Sequence, residues 1–144
     1  MTTHLNTCLI GCGSHGASRL APAIQTNEGA VLAGCVDADI ETARAVASPE
    51  TPVSTELPEL LVHADIDAAV VAVPHDQLAP VTLQCLEAGL HVMVEKPMAT
   101  TAKDARDLIA ASESAGKVLA IAYQRHGDGE FIKARELIQS GAIG

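Results

Sequence analysis

Apolar residues fall along this chain in short continuous runs, separated by longer stretches where they recur every three or four positions. The runs predict strands over Leu5–Ile10, Ala30–Val36, a short piece near Val53, Ala68–Val73, His91–Val94 and Val118–Tyr123. The periodic stretches predict helices from Ala17 to about Thr26, Ile40 to Ala47, Leu57 to Ala64, Leu78 to Ala88, Thr101 to Ala115 and Glu130 to Ser140. Punctuation agrees with them: Pro74 closes the fourth strand, Thr101 is an N-cap, and Gly89, Gly116 and Gly141 stand just past helix ends. Strands that are apolar throughout, rather than alternating, are those buried on both faces between helix layers. Strict strand–helix alternation therefore predicts an α/β doubly wound parallel sheet of six strands, most simply in the order 3-2-1-4-5-6.

Composition narrows the chemistry. The 144 residues are 48% hydrophobic, yet Tyr123 and Phe131 are the only aromatics, so the core must be built of Val, Leu, Ile and Ala. A net charge of −9 with no basic run argues against nucleic acid or an anionic membrane as partner. No apolar stretch reaches about 18 residues, and Met1-Thr2-Thr3-His4 lacks a charged leader region, so a soluble, cytoplasmic protein is expected. Cys8, Cys12, Cys35 and Cys85 form no C-x-x-C pair. They read as reduced, buried small hydrophobes, and no metal site is expected.

Against that background one loop stands out. Gly11-Cys12-Gly13-Ser14-His15-Gly16 is a G-x-G-x-x-G between the first strand and a helix. Such glycines let backbone N–H groups approach a pyrophosphate at a helix N-terminus, whose dipole favours the anion. The second strand ends in Asp37, 21 residues beyond Gly16, where a carboxylate can accept the hydroxyls of an adenosine ribose. Ala38, Asp39 and Ile40 follow it. A 2′-phosphate there would meet two carboxylates and no cation, so NAD is expected in preference to NADP. A dinucleotide-binding Rossmann fold is the resulting expectation. The fifth strand then ends in Glu95-Lys96-Pro97, at the sheet edge where ligands of such folds bind.

With the glycine loop, Asp37, Pro74, Gly89-Leu90-His91-Val92 and Glu95-Lys96-Pro97 in this order, the chain resembles the N-terminal domain of the Gfo/Idh/MocA oxidoreductases. The resemblance is most specific between Leu83 and Thr100, and it extends to the closing Glu136–Gly144. It implies hydride transfer between a nicotinamide cofactor and a secondary alcohol of a sugar- or polyol-like substrate. Lys96 would then work at the substrate hydroxyl, Glu95 would orient the lysine and Pro97 would stiffen the turn. Gly11, Gly13 and Gly16 would bind pyrophosphate, with Ser14 (through its backbone) and His15 as further contacts to phosphate or ribose. Pro74 and His75 would line the cofactor cleft. Tyr123, Arg125 and His126, with Gln124 among them, are the candidates for the substrate side.

The chain also departs from the family pattern. A histidine customary after the strand-4 proline is replaced by Leu78, a customary proline by Gly129, and the usual strand-6 arginine by His126. The resemblance further implies a second α/β domain beyond Gly144 that supplies an acid and a histidine for proton transfer. His4, His63, His91 and His126 do not stand in for that histidine, and His63 and His91 read as structural. Residues 1–144 are accordingly expected to bind cofactor and turn over slowly or not at all. They are either a piece of a longer protein or a natural single-domain protein. Two other readings remain open: a non-catalytic nucleotide-binding or regulatory module, and a biliverdin-reductase-like enzyme on the same N-terminal fold. An apolar face left uncovered would promote self-association.

Overall fold

The computed structural model describes residues 4–143, and within them the strand–helix alternation is realised as one sheet. Its strands are β1 (Leu5–Ile10), β2 (Ala30–Val36), β3 (Val53–Ser54), β4 (Ala68–Val71), β5 (His91–Val94) and β6 (Leu119–Ile121). All pair in parallel, in the order β3-β2-β1-β4-β5-β6. The chain thus winds outward from β1 in one direction, then returns and winds outward from β4 in the other. The C-terminal ends of β1 and β4 are left side by side with their crossovers on opposite faces, which opens a crevice between them.

Six helices cover the sheet: α1 (Ala21–Thr26), α2 (Ile40–Val46), α3 (Leu57–His63), α4 (His75–Glu87), α5 (Ala102–Ala115) and α6 (Gly129–Gln139). On one face Leu57 and Leu60 of α3, Leu78, Cys85 and Leu86 of α4, and Leu108 of α5 pack on Cys8, Ile10, Val71, Val92 and Val94. On the other face Ala21 and Ile24 of α1 and Ala43 of α2 pack on Leu9, Leu32, Cys35 and Val70. The small aliphatic core foreseen from composition is what fills both layers. All four cysteines are free and buried.

The second face is not covered across its whole width. Beyond α1 an apolar depression of about 390 Å³ runs across Leu5, Val70, Met93, Val118 and Ala120. Val118 is 61% exposed.

The element bounds differ from expectation at four places, each for a local reason. The expected Ala17–Thr26 helix begins as a π-helical turn over Gly16–Leu20 before α1 takes up regular winding at Ala21. Strand β4 stops at Val71, two residues early, because Ala72 and Val73 lead into Pro74, the N-cap of α4. Helix α4 starts at His75 rather than Leu78, with Asp76 favourably placed in its first turn, and it accommodates Pro80. Strand β6 is only Leu119–Ile121, since Ala122 and Tyr123 lead into a 3₁₀ turn over Gln124–Gly127. The helix stops hold: Gly89, Gly116 and Gly141 all adopt positive φ, and the Thr101 side chain accepts the Asp104 N–H.

Candidate functional site

Each residue of the glycine loop has a separate steric reason. Gly11 has φ +92°, and a Cβ there would run into the carbonyl of Ala72 at the end of β4. A Cβ on Gly16 would run into the carbonyl oxygen of Gly11 across the turn. Gly13 differs: an added Cβ would meet nothing within 4 Å. The first and third glycines let the loop close, and the second leaves open space facing the crevice. That is the division of labour a pyrophosphate cradle requires.

Asp37 stands at the end of β2, half-buried, and holds the same loop. Its Oδ2 accepts the Cys12 N–H at 2.7 Å and its Oδ1 accepts the Asp39 N–H at 3.0 Å. Asp39 in turn caps α2, accepting the Glu41 N–H at 3.0 Å and the Thr42 hydroxyl at 3.1 Å. From this corner a cleft of about 650 Å³ extends between Gly11, Gly13, Asp37, Glu56, Pro74 and Gln77. Such a volume suits a small-molecule site. No lysine or arginine lines it; its charged residues are Asp37 and Glu56.

A second, smaller pocket of about 230 Å³ adjoins it, lined by His15, His75, Glu95, Lys96 and Gln124. Ala72 and Val73 border both pockets, so the two form one groove along the C-terminal edge of the sheet. The groove runs from Asp37 at β2, past the glycine loop, to Lys96 at β5.

The polar core of the second pocket is Glu95, only 8% exposed. A carboxylate so deeply placed must be matched by donors. Its Oε1 faces His15 Nε2 at 2.9 Å and accepts from Gln124 Nε2 at 3.3 Å, while Oε2 accepts the Lys96 main-chain N–H at 3.1 Å. The Glu95 carboxylate thus meets Lys96 at its main-chain N–H rather than at its Nζ. Among the described residues the Lys96 Nζ has no hydrogen-bond or ion-pair partner, because the chain carries it out of the strand into solvent. The Lys96–Pro97 peptide is cis.

Other expectations sort by position. Gly11, Gly13, Asp37, Pro74, His75, Glu95 and Lys96 all come to the groove, and His15 lines its smaller pocket while bonding Glu95. Ser14 is exposed, with its carbonyl accepting the Ser18 hydroxyl at 2.6 Å, and Pro97 is exposed just beyond the lysine. The substrate-side candidates do not line the groove. Arg125 pairs with Asp128 at 3.1 Å and lies over Phe131, and the Tyr123 and His126 rings are 5.5 Å apart. Arg125 and His126 lie in a short 3₁₀ turn that begins at Gln124 and follows Tyr123, and of these residues only Gln124 lines the groove. His91 is structural, its Nδ1 accepting the Val118 N–H at 3.1 Å, whereas His63 lies exposed at the end of α3. Gln77 and Gln84, which also line the larger cleft, were not anticipated. Starting α4 at His75 places Gln77, Val81 and Gln84 on one face at i, i+4 and i+7, a periodic signal present in the sequence.

Comparison with known proteins places the fold in a family. Residues 5–123 match the family model GFO_IDH_MocA, described as an oxidoreductase family with an NAD-binding Rossmann fold. The chain belongs to the Gfo/Idh/MocA oxidoreductase family. Over its whole length it is 33% identical to the oxidoreductase YdgJ of Escherichia coli, covering 41% of that protein. Across 94% of its length it is 30% identical to inositol 2-dehydrogenase 2 of Paenarthrobacter aurescens, covering 42% of it. Among solved structures, GenD2 from gentamicin A biosynthesis, in complex with NAD, is 30% identical with a TM-score of 0.87, over 95% of this chain and 39% of that one. KijD10, a 3-ketoreductase of Actinomadura kijaniata in complex with NADP, shares the fold at 24% identity and a TM-score of 0.89, over 99% and 44%. The chain thus spans about two fifths of the length of these Gfo/Idh/MocA relatives. No helix among the described residues is long and apolar enough to cross a membrane.

Proposed function

We propose that this Rossmann domain binds NAD in preference to NADP and presents Lys96 to a secondary alcohol on a polyol- or sugar-like substrate. The observation that carries the reading is the continuous groove from Asp37 to Lys96, with the glycine loop at its middle. The residues present fit a dinucleotide: the open side of Gly13 leaves a cradle, and Asp37 offers a carboxylate at the adenosine end. Gly11, Gly13 and Gly16 would hold the pyrophosphate, Asp37 the ribose hydroxyls, and Pro74 and His75 would border the path toward Lys96. The acidic, cation-free lining around Asp37 supports NAD, because a 2′-phosphate would be desolvated there beside Asp37 and Glu56 with no positive partner.

When bound, the nicotinamide supplies a hydride acceptor or donor. The protein's part is to position and to manage charge. Lys96, exposed and without a side-chain partner among the described residues, is available to hydrogen-bond the substrate oxygen and to favour its alkoxide-like form during hydride transfer. The inositol dehydrogenase among the relatives supports a polyol as the substrate class. The activity would belong to a protein that encloses the substrate, since an open groove excludes little water.

Calorimetric titration with NADH and NADPH side by side tests the cofactor assignment. Saturable NADH binding at least tenfold tighter than NADPH is expected, and equal or reversed affinities would overturn the preference. In the protein that carries this domain, Lys96→Met should lower kcat/KM for polyol oxidation by roughly 10²-fold or more. An unchanged value would remove the lysine from the chemistry.

A further inference from the structure

We propose that His15 is a positioning residue that locks Glu95, and with it the strand end bearing Lys96, onto the glycine loop. It would thereby set the nicotinamide half of the groove without controlling the adenosine half. This rests on the dinucleotide reading above. Opposite a carboxylate oxygen at 2.9 Å, His15 Nε2 carries the hydrogen and donates it. The bond joins residues 80 positions apart in the chain and ties the loop after β1 to the end of β5.

The other partners of Glu95 are weaker restraints. Gln124 donates over 3.3 Å from an exposed turn, and the Lys96 amide is the next residue in the chain. His15 therefore provides the shortest restraint on the carboxylate, and the only one that comes from the phosphate loop. The ring is itself half-exposed, its side chain at 51%, so its removal leaves no buried cavity in the core.

The adenosine half is held separately. Asp37 fixes the loop through the Cys12 N–H, and Gly11 is pinned by its own N–H to the Val36 carbonyl at 2.9 Å. Neither bond involves His15 or Glu95. Loss of His15 should consequently leave the Glu95 carboxylate held by Gln124 and its neighbouring amide alone, and free to turn, while the Glu95 main-chain N–H stays on the Val71 carbonyl at 2.9 Å. The Lys96 main chain, whose N–H bonds that carboxylate, would move with it. What occupies the groove beside Gly13 and Asp37 would be unaffected.

The test compares two probes on the 144-residue chain. NADH emission reports the nicotinamide half, and ADP-ribose titrated by calorimetry reports the adenosine half. For His15→Ala, the expected result is at least a fivefold loss in NADH affinity, with nicotinamide emission returning toward that of free NADH and ADP-ribose affinity kept within twofold. His15→Gln retains an N–H donor for Glu95 and should recover most of the NADH signal, a rescue that a purely steric role would not give. In a His15→Ala/Glu95→Gln double variant the losses should be less than multiplicative, because both changes break the same bond. Equal losses for ADP-ribose and NADH would place His15 at the phosphates and overturn the proposal, as would unaltered NADH emission in His15→Ala. Failure of the wild-type chain to bind either probe would instead overturn the dinucleotide reading and this proposal with it.

Discussion

Asp37, at the end of β2, accepts the backbone N–H of Cys12, the second residue of the glycine loop, at 2.7 Å. One carboxylate thus serves two ends: it holds the loop in its closed shape, and its remaining lone pairs face the cleft where a ribose would lie. Hydrogen bonds to charged groups contribute about 1.5–3 kcal/mol. Asp37→Ala should therefore weaken NADH binding by roughly ten- to a hundredfold. It should also narrow the NADH/NADPH ratio, since the repelling charge is gone. Parallel titrations of both cofactors check this, and equal losses for NADH and NADPH, with the ratio kept, would remove Asp37 from discrimination.

The three loop glycines should respond differently to a single methyl group. Gly16→Ala and Gly11→Ala force a Cβ against a backbone carbonyl, and should lower stability by about 2 kcal/mol or more. Gly13→Ala meets open space and should leave the melting temperature within a degree or two, yet weaken cofactor binding by occupying the approach to the loop. Thermal melts combined with NADH titration separate the two classes. Destabilisation by Gly13→Ala comparable to that of Gly16→Ala would contradict the assignment.

Thr82 lies fully buried in α4, and its hydroxyl has no hydrogen-bond partner among the described residues. A buried, unpaired hydroxyl carries its desolvation cost without return. Thr82→Val keeps the shape and removes that cost, so the variant should be more stable by about 1 kcal/mol in chemical denaturation. A less stable variant would mean that the hydroxyl is satisfied.

Burial holds the Cys85 thiol well above its ordinary range, at about 12, and raises Cys8 as well. In the unfolded chain these thiols ionise near 9, whereas the folded state keeps them protonated. Folding thus has its full thiol contribution below pH 9, and loses it as pH rises from 9 toward 12. Melting temperature should fall across that alkaline window, and Cys85→Ala should flatten the fall. The same burial should keep thiol reagents from labelling the native protein at pH 8, with all four cysteines reacting after denaturation.

Much of the architecture follows from local sequence. Continuous apolar runs between helical periods dictate a parallel sheet, and the glycine loop with an acid 21 residues past Gly16 lies within one βαβ unit, where spacing alone sets geometry. Thr101, Gly89 and Gly116 act within a single turn of backbone, and each behaves as its residue type requires. Tertiary structure decided which side chains meet. His15, Glu95 and Gln124 come from the ends of β1, β5 and β6, and only the strand order and parallel register bring those ends to one edge. That same placement sets the Glu95 carboxylate against His15 rather than the Lys96 Nζ, and of the 3₁₀ turn only Gln124 lines the groove. Residue type and spacing fix what is local because a few dihedral angles connect the groups concerned. Contacts between chain segments 29 or 80 residues apart depend on how whole elements pack, and no local pattern encodes that.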